Sequence, residues 1–176
     1  MEQLRRLAGL LVGSGLIVAL DQVTKNIVRN RLAFGQVYEP IPELAPFLRI
    51  VHWRNTGAAF GIFPDGGIIF AVIAFLVIGA ILYYYPQIPI RHRLLRWALM
   101  LQLAGAIGNL IDRLTLGPVT DFIAVGSFPV FNVADASISV GVGLLILSMW
   151  LEGHEQEGAE EAESIEQVSE AEPEVG

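Results

Sequence analysis

Two aspartates, Asp121 and Asp135, lie at the edge of an apolar segment long enough to cross a membrane. A carboxylate in that position costs roughly 2.5 to 3.5 kcal/mol on insertion scales, so its presence requires an explanation. Two carboxylates brought close together can separate their pKa values and divide the acid and base roles between them. Such a pair could hydrolyse a peptide without a metal ion and without an activated serine or cysteine.

A second polar group, formed by Asn109, Asp112 and Arg113, has the spacing i, i+3, i+4 of one helix face. It could form a wall of a substrate site, with Arg113 donating hydrogen bonds to a carboxylate or a peptide carbonyl. It could also be an ordinary helix end in the headgroup region. Asn109 lies deeper than an interface requires, which favours the first interpretation.

Asn132 precedes Asp135 by three residues, as an N-cap precedes an acidic residue in the first helical turn. Capping alone is a sufficient structural explanation unless Asp135 shares a face with other ionisable groups. The helix dipole would favour an ionised Asp135, which makes it a candidate base while Asp121 holds the proton. A coupled pair nevertheless titrates as a unit.

Two further motifs have simpler interpretations. Asp21 and Lys25 form an i, i+4 pair in the favourable order, and we expect them to neutralise each other rather than to catalyse. Asn55, Thr56 and Gly57 begin a turn that continues through small residues to Gly61 and could let a substrate backbone approach closely. By itself this segment predicts only a turn.

The elements that must position these residues are predicted to be membrane helices. The chain has 176 residues, of which 53% are hydrophobic and 16% charged, which is too apolar for a soluble domain of this size. A span needs about 20 apolar residues. We predict an all-α membrane protein, a four-transmembrane-helix bundle, with spans at about 7–28, 66–85, 94–113 and 133–151.

Outside these spans the sequence predicts a small β-sheet and a tail. The β region is expected at about 29–65, where an aromatic and β-branched run is bounded by prolines and by the Asn55 turn. Ten of the eighteen acidic residues follow Leu151, so residues 1–151 are expected to form the membrane-embedded domain. Residues 152–176 are predicted to be an acidic, solvating tail that is disordered apart from some nascent helix.

Short links between spans predict an up-and-down bundle in which alternate helix ends share a membrane face. The end of the first span, the end of the third and the start of the fourth then meet, and they carry nearly all the intramembrane polar groups. The two membrane faces carry nearly equal numbers of basic residues, five and six. Only the concentration of arginines immediately before the first and third spans favours the face opposite to the polar groups as cytoplasmic.

Five blocks of residues, in this order along the chain, resemble the lipoprotein signal peptidase family, the type II signal peptidases of bacteria. They are Leu20–Lys25 (LDQVTK), Asn55–Gly61 (NTGAAFG), Gly108–Arg113 (GNLIDR), Val119–Phe122 (VTDF) and Phe131–Asp135 (FNVAD). Each block is weak alone, but together they are specific, and they cover the chain from about residue 7 to 151.

The resemblance implies an intramembrane aspartic endopeptidase of the bacterial inner membrane, with both termini cytoplasmic and an extracytoplasmic sheet. It implies cleavage on the amino side of a diacylglyceryl-modified cysteine in prolipoproteins, and inhibition by the cyclic peptide globomycin. By motif position, Asp121 and Asp135 would be catalytic. Substrate or the pair would be positioned by Asn55, Asn109, Arg113 and Asn132, with structural support from Asp21, Lys25, Gly57, Gly108 and Asp112.

Other functional classes find less support in the sequence. The chain has no cysteine, and its three histidines are scattered without an HExxH pattern, which argues against a zinc protease. We therefore expect no metal and no cofactor, and we expect contacts with membrane lipids, no nucleic acid and a monomer. A proton or ion pathway would need polar residues across the whole bilayer. A non-catalytic assembly factor would tolerate isosteric changes at the aspartates.

Overall fold

The computed structural model describes residues 1–57 and 66–171, with side chains described as far as His154 in the last helix. Its four helices are α1 (Glu2–Arg31), α2 (Gly67–Tyr84), α3 (Arg93–Thr115) and α4 (Val133–Ala171). Its three strands are β1 (Val37–Tyr38), β2 (Leu48–Asn55) and β3 (Val119–Val125). Each helix contains a stretch long and apolar enough to cross a membrane. The predicted four-helix membrane protein with a small sheet is confirmed.

Helix α3 is the centre of the bundle because it packs against each of the other three helices. Its buried residues include alanines and glycines over most of its length, and small side chains let neighbouring backbones approach. Helix α2 differs in that its apolar residues, such as Ile68 and Leu76, are largely exposed. An all-round apolar surface of this kind suits contact with lipid.

The sheet is antiparallel in the order β1-β2-β3, and its third strand comes from outside the predicted β region. We expected residues 29–65 to form the sheet, whereas β3 is contributed by the link between α3 and α4. Gly117, at φ +87°, lies in the turn between α3 and β3, in a conformation that glycine adopts readily. This turn carries Asp121 back towards the helix ends.

Helix α4 extends further than the predicted span. The helix continues beyond Leu151 to Ala171, so the helical part of the predicted tail is longer than expected. Glutamate and alanine, which are abundant after Leu151, are strong helix formers. The domain boundary at residue 151 stays a prediction.

Close packing of α3 on α4 gives a test of the bundle. A methyl group added at Gly105 would overlap the Ala134 carbonyl oxygen and the Ile138 side chain. We expect Gly105→Ala to lower the free energy of unfolding in detergent micelles by about 1 to 3 kcal/mol, because the helices must move apart.

The matched control is Gly143→Ala on α4, where an added methyl group meets no atom within 4 Å. That change should leave stability unaltered or raise it by about 0.5 to 1 kcal/mol, since alanine is the better helix former. Equal stabilities of the two variants would contradict the packing described here.

Candidate active site

The site is organised around a cation that has no contact with solvent. The Lys25 side chain is 0% exposed. Its ammonium lies 2.8 Å from an oxygen of Asp21, 3.0 Å from Oδ1 of Asn109 and 3.5 Å from an oxygen of Asp112. Three acceptors therefore surround the three N–H donors of the ammonium group. We call Asp21, Lys25, Asn109 and Asp112 the polar cluster; the predicted pairing of Asp21 with Lys25 is observed within it.

The polar cluster ties helix ends to the sheet through its two carboxylates. Asp21 on α1 accepts a hydrogen bond from the backbone N–H of Ala134 at 2.9 Å, which joins α1 to the start of α4. Asp112 on α3 accepts one from the backbone N–H of Thr120 at 2.9 Å, which joins α3 to β3. Both carboxylates are fully buried. Each is therefore paired with the lysine ammonium and also hydrogen-bonded by a backbone donor.

Gly108 lies against this cluster. A Cβ atom at this position would be 2.7 Å from an Asp21 carboxylate oxygen and 3.1 Å from the Ala134 side chain. Only a hydrogen atom fits there without displacing its neighbours, which accounts for a glycine one residue before Asn109. Its role as a supporting residue stays a prediction.

Asn109 extends the network from the lysine to Asp135. Because an ammonium group can only donate, Oδ1 of Asn109 must face Lys25, and its Nδ2 donates to Oδ1 of Asp135 at 2.7 Å. Oδ2 of Asp135 accepts from the backbone N–H of Asn132 at 3.2 Å. Asn109 is buried, whereas Asp135 is partly exposed.

Asn132 makes the predicted cap and also reaches the other aspartate. Its Oδ1 accepts from the backbone N–H of Asp135 at 2.8 Å, so the two residues cap the start of α4 reciprocally. That bond turns Nδ2 of Asn132 towards Asp121, to which it donates at 2.7 Å. Capping and contact with the aspartates are therefore not alternatives, because one fully buried side chain does both.

Asn55 holds the second oxygen of Asp121. Its Oδ1 accepts from the backbone N–H of Gly57 at 3.0 Å, and its Nδ2 donates to Asp121 at 2.9 Å. The turn expected at Asn55 to Gly57 is thus observed, while Ala58 to Gly61 lie outside the described residues. Each of the four carboxylate oxygens of Asp121 and Asp135 accepts one N–H hydrogen bond.

Burial shifts the titration of Asp121, whose residue is 1% exposed. Removal from water is the main cause that raises the pKa of Asp121 to about 7, and the negative charge of Asp135 raises it further. The hydrogen bonds from Asn55 and Asn132 and the charge of Lys25 act in the opposite direction. A carboxyl group on strand β3 therefore titrates near neutral pH.

Both aspartates line one cavity of about 870 Å³ between the sheet and the ends of α2, α3 and α4. Arg113 also lines it, with its guanidinium 5.4 Å from the centre of the Phe70 ring. Asp112 instead lies in the polar cluster, so the adjacent residues Asp112 and Arg113 point into different parts of the structure. Apolar side chains of α4, such as Ile138 and Val140, continue the wall away from the aspartates.

Three polar residues of this region were not predicted as site residues, namely Gln22, Arg29 and Thr120. Gln22 donates to Asp21, to the Gly108 carbonyl oxygen and to Asp112. Arg29 donates to the Thr120 hydroxyl at 3.1 Å and lies 3.6 Å from Asp112. Positions 21, 25 and 29 are four residues apart on α1, so helical periodicity could have linked Arg29 to the polar cluster.

The four apolar helices define a membrane protein that crosses the bilayer several times. The carboxylate pair beside the small sheet supplies the groups needed for acid–base hydrolysis. A family model described as signal peptidase (SPase) II matches residues 14–151. The chain belongs to the signal peptidase II family.

Relatives of known name and structure agree with this membership. The lipoprotein signal peptidase of Shouchella clausii is 42% identical over 142 residues, which cover 80% of this chain and 92% of the relative. That of Symbiobacterium thermophilum is 46% identical over 138 residues, covering 76% and 89%. A bacterial membrane enzyme solved by the in meso method superposes with a TM-score of 0.77 at 34% identity, covering 83% and 90%.

The raised pKa of Asp121 gives a pH test. Between pH 3.8, the ordinary value, and about 7, folded protein binds a proton at Asp121 that unfolded protein has released. The free energy of unfolding should therefore fall as the pH rises through this window, by at most about 1.4 kcal/mol per pH unit for one proton. Asp121→Asn should flatten the slope, whereas Glu43→Gln, at an exposed carboxylate, should not.

Removal of the buried cation tests the polar cluster. We expect Lys25→Met to lower the free energy of unfolding by about 3 to 5 kcal/mol, because Asp21 loses its counter-ion and Asp112 keeps only Arg29. The double variant Lys25→Met with Asp21→Asn should recover part of the loss, since one uncompensated charge is removed with it. Denaturant unfolding in micelles measures both, and a stable single variant would contradict this account of the cluster.

Proposed function

We propose that Asp121 and Asp135 are the catalytic pair of this peptidase. As a member of the signal peptidase II family, the protein is an aspartic peptidase that removes signal peptides from prolipoproteins. The observation that carries the assignment is that both carboxylates line one cavity while all four of their oxygens are held by N–H donors. Reactive groups held in this way need little reorganisation during the reaction.

The pair acts by sharing one proton and binding a water molecule. The ionised aspartate takes a proton from the water as its oxygen attacks the scissile carbonyl carbon, while the protonated one donates to the developing oxyanion. The tetrahedral intermediate then collapses as a proton passes to the leaving nitrogen and the C–N bond breaks. Water is consumed, and the pair regains its single proton without a covalent intermediate or a metal ion.

Asp121 is the member that carries the proton before attack. Its raised pKa of about 7 supports this role, since an ordinary aspartic acid would be fully ionised at neutral pH. Asp135, in the first turn of α4, is the base. The N-terminal end of a helix favours a negative charge there.

The remaining predicted residues position the pair or the substrate. Asn109 and Asn132 hold the pair, and Asn55 joins Asp121 to the turn that ends at Gly57. Arg113 binds substrate carbonyl groups, because within the part of the chain that the structure describes its side chain has no carboxylate within 4.0 Å and it lines the cavity. Asp21, Lys25, Asp112 and Gly108 act through these residues, as support.

The substrate is a diacylglyceryl-modified prolipoprotein, cleaved on the amino side of the modified cysteine. The apolar continuation of the cavity along Ile138 and Val140, with Phe70 across from them, suits a segment that stays in the lipid phase. Anchoring by the acyl chains contributes to binding and limits the orientations of the scissile bond. Globomycin, as a cyclic peptide, occupies the same cavity and competes with substrate.

The protein acts as a monomer in the bacterial cytoplasmic membrane, with both termini cytoplasmic and the sheet and aspartates at the extracytoplasmic face. The lipid-facing apolar surface of α2 supports insertion, and the arginines flanking the starts of α1 and α3 favour this orientation. Accessibility of single introduced cysteines in intact spheroplasts tests it. The chain has no native cysteine to interfere.

Cleavage of a lipid-modified preprolipoprotein peptide by purified protein tests the assignment. Asp121→Asn and Asp135→Asn should each lower kcat by at least about 100-fold, because each removes one acid–base group without changing its size. Glu43→Gln, the same chemical change at an exposed carboxylate, should retain wild-type activity. Folded variants of the pair that cleave at near-normal rates would overturn the assignment.

The metal-free mechanism is tested in the same assay. Activity should be unchanged by a chelator, since the two carboxylates activate the water themselves. Loss of activity with the chelator, followed by recovery with zinc, would refute the metal-free mechanism, although the protein would still be a peptidase.

A further inference from the structure

A second cavity lies at the end of the bundle opposite to the aspartates. Its volume is about 260 Å³, and its wall includes Tyr85, Arg93, Arg96, Trp97 and Met100. We call it the arginine cavity. Arg96 and Asp112 are 16 residues apart on α3, which corresponds to about 24 Å along the helix axis. The arginine cavity is therefore separate from the site that contains Asp121 and Asp135.

One wall of the arginine cavity presents a positioned guanidinium. Arg96 donates to the Ile88 carbonyl oxygen at 3.2 Å, and its charged carbon lies 4.3 Å from the centre of the Tyr85 ring. Both contacts fix the side chain, but neither supplies a negative charge. Arg96 is partly buried, and Arg93, beside it, is exposed.

The carboxylates described at this end are bound elsewhere. Glu2 pairs with Arg6, and Glu152 lies 2.6 Å from His92 and accepts from the Ser148 hydroxyl. Among the described side chains, neither Arg93 nor Arg96 has a carboxylate within 4.0 Å. The arginine cavity is thus a positively charged recess, and the anion that suits it comes from outside these residues.

The start of α3 adds to the same charge. The helix begins at Arg93, and His92 makes no side-chain cap. N–H groups of a first helical turn have no partner within the helix and favour an anion nearby. This supports the two guanidinium groups without being a site by itself.

Size and surroundings indicate which anion fits. Ligand pockets commonly measure roughly 300 to 1,000 Å³, so a recess of about 260 Å³ suits a headgroup rather than an entire lipid. Trp97, which is 58% exposed, lies at its wall, and tryptophan prefers the boundary between headgroups and acyl chains. Gly9 of α1 also lines the recess, and exposed Val12, about one helical turn further along α1, provides an apolar surface for acyl chains.

We propose that the arginine cavity binds the phosphate headgroup of an anionic phospholipid. Arg93 and Arg96 contact the phosphate oxygens, and Trp97 packs against the glycerol backbone at the membrane boundary. Guanidinium groups suit this ligand because they donate paired hydrogen bonds to phosphate. The site is independent of the catalytic assignment, because it lies at the other end of the bundle and takes a lipid that is not cleaved.

Native mass spectrometry of the full chain tests the proposal. Protein in a zwitterionic detergent is mixed with equal amounts of short-chain phosphatidylglycerol and phosphatidylcholine, and the retained lipids are counted. Wild-type protein should retain phosphatidylglycerol preferentially. The double variant Arg93→Gln with Arg96→Gln should lose that preference by roughly tenfold.

The matched control is Arg5→Gln with Arg91→Gln, which removes the same charge from exposed arginines that do not line the arginine cavity. It should keep the preference. Arg93→Gln alone is the second variant, because Arg96 also supports the link between α2 and α3; Arg93 is exposed, and its replacement should weaken retention without unfolding the protein.

Three results would overturn the proposal. Equal retention of the two lipids by wild-type protein would do so. That result is also the one expected if the acidic segment after His154 occupied the recess in place of a lipid. An equal loss in both double variants would show general charge attraction. Millimolar inorganic phosphate that binds alone and prevents retention of phosphatidylglycerol would identify free phosphate as the ligand, whereas no effect of phosphate supports the lipid.

Discussion

The buried ammonium of Lys25 is the interaction on which the rest of the site depends. It lies on α1, it is bound by groups of α1 and α3, and the carboxylates that neutralise it hold the backbones of α4 and β3. Charges removed from water are costly unless they are paired and hydrogen-bonded. Since the ammonium and both carboxylates satisfy one another only in one arrangement, the polar cluster fixes how three helices and a strand meet. Geometry, rather than net stability, is what such a cluster contributes.

Each amide in the site is oriented by a hydrogen bond to its oxygen atom. The oxygen of Asn109 is bound by Lys25, that of Asn132 by the N–H of Asp135, and that of Asn55 by the N–H of Gly57. Each amide nitrogen then points towards a carboxylate and donates to it. The aspartates are thus surrounded by donors whose direction is set by other hydrogen bonds within the site. Burial and the mutual repulsion of the two carboxylates oppose these donors, and the pKa of Asp121, at about 7, reflects that balance.

Much of this arrangement could be predicted from the sequence, for identifiable reasons. Span lengths follow from hydrophobicity, and short links force alternate helix ends together, which is why Asp21, Asn109 and Asn132 could be grouped in advance. Strand β3 was missed because its seven residues read as a link, and its partner β2 lies more than sixty residues earlier. Pairing across that distance has no local signal. The extra length of α4 was missed because the segment after Leu151 is highly charged and has few apolar residues from which a packed helix could be predicted.

Close approach of α3 and α4 connects this packing to the electrostatics. At Gly108, a side chain would take the space occupied by the Asp21 carboxylate, and the same carboxylate accepts from the N–H of Ala134 at the start of α4. Without that contact, α4 would lose a fixed position relative to α1, and Asp135 with it. Gly108 therefore affects the aspartate pair indirectly, because it leaves room for the Asp21 carboxylate, which in turn holds the start of α4. Small residues in membrane helices usually serve the close packing of neighbouring helices. Here Gly108 also leaves room for the Asp21 carboxylate, which holds the site together.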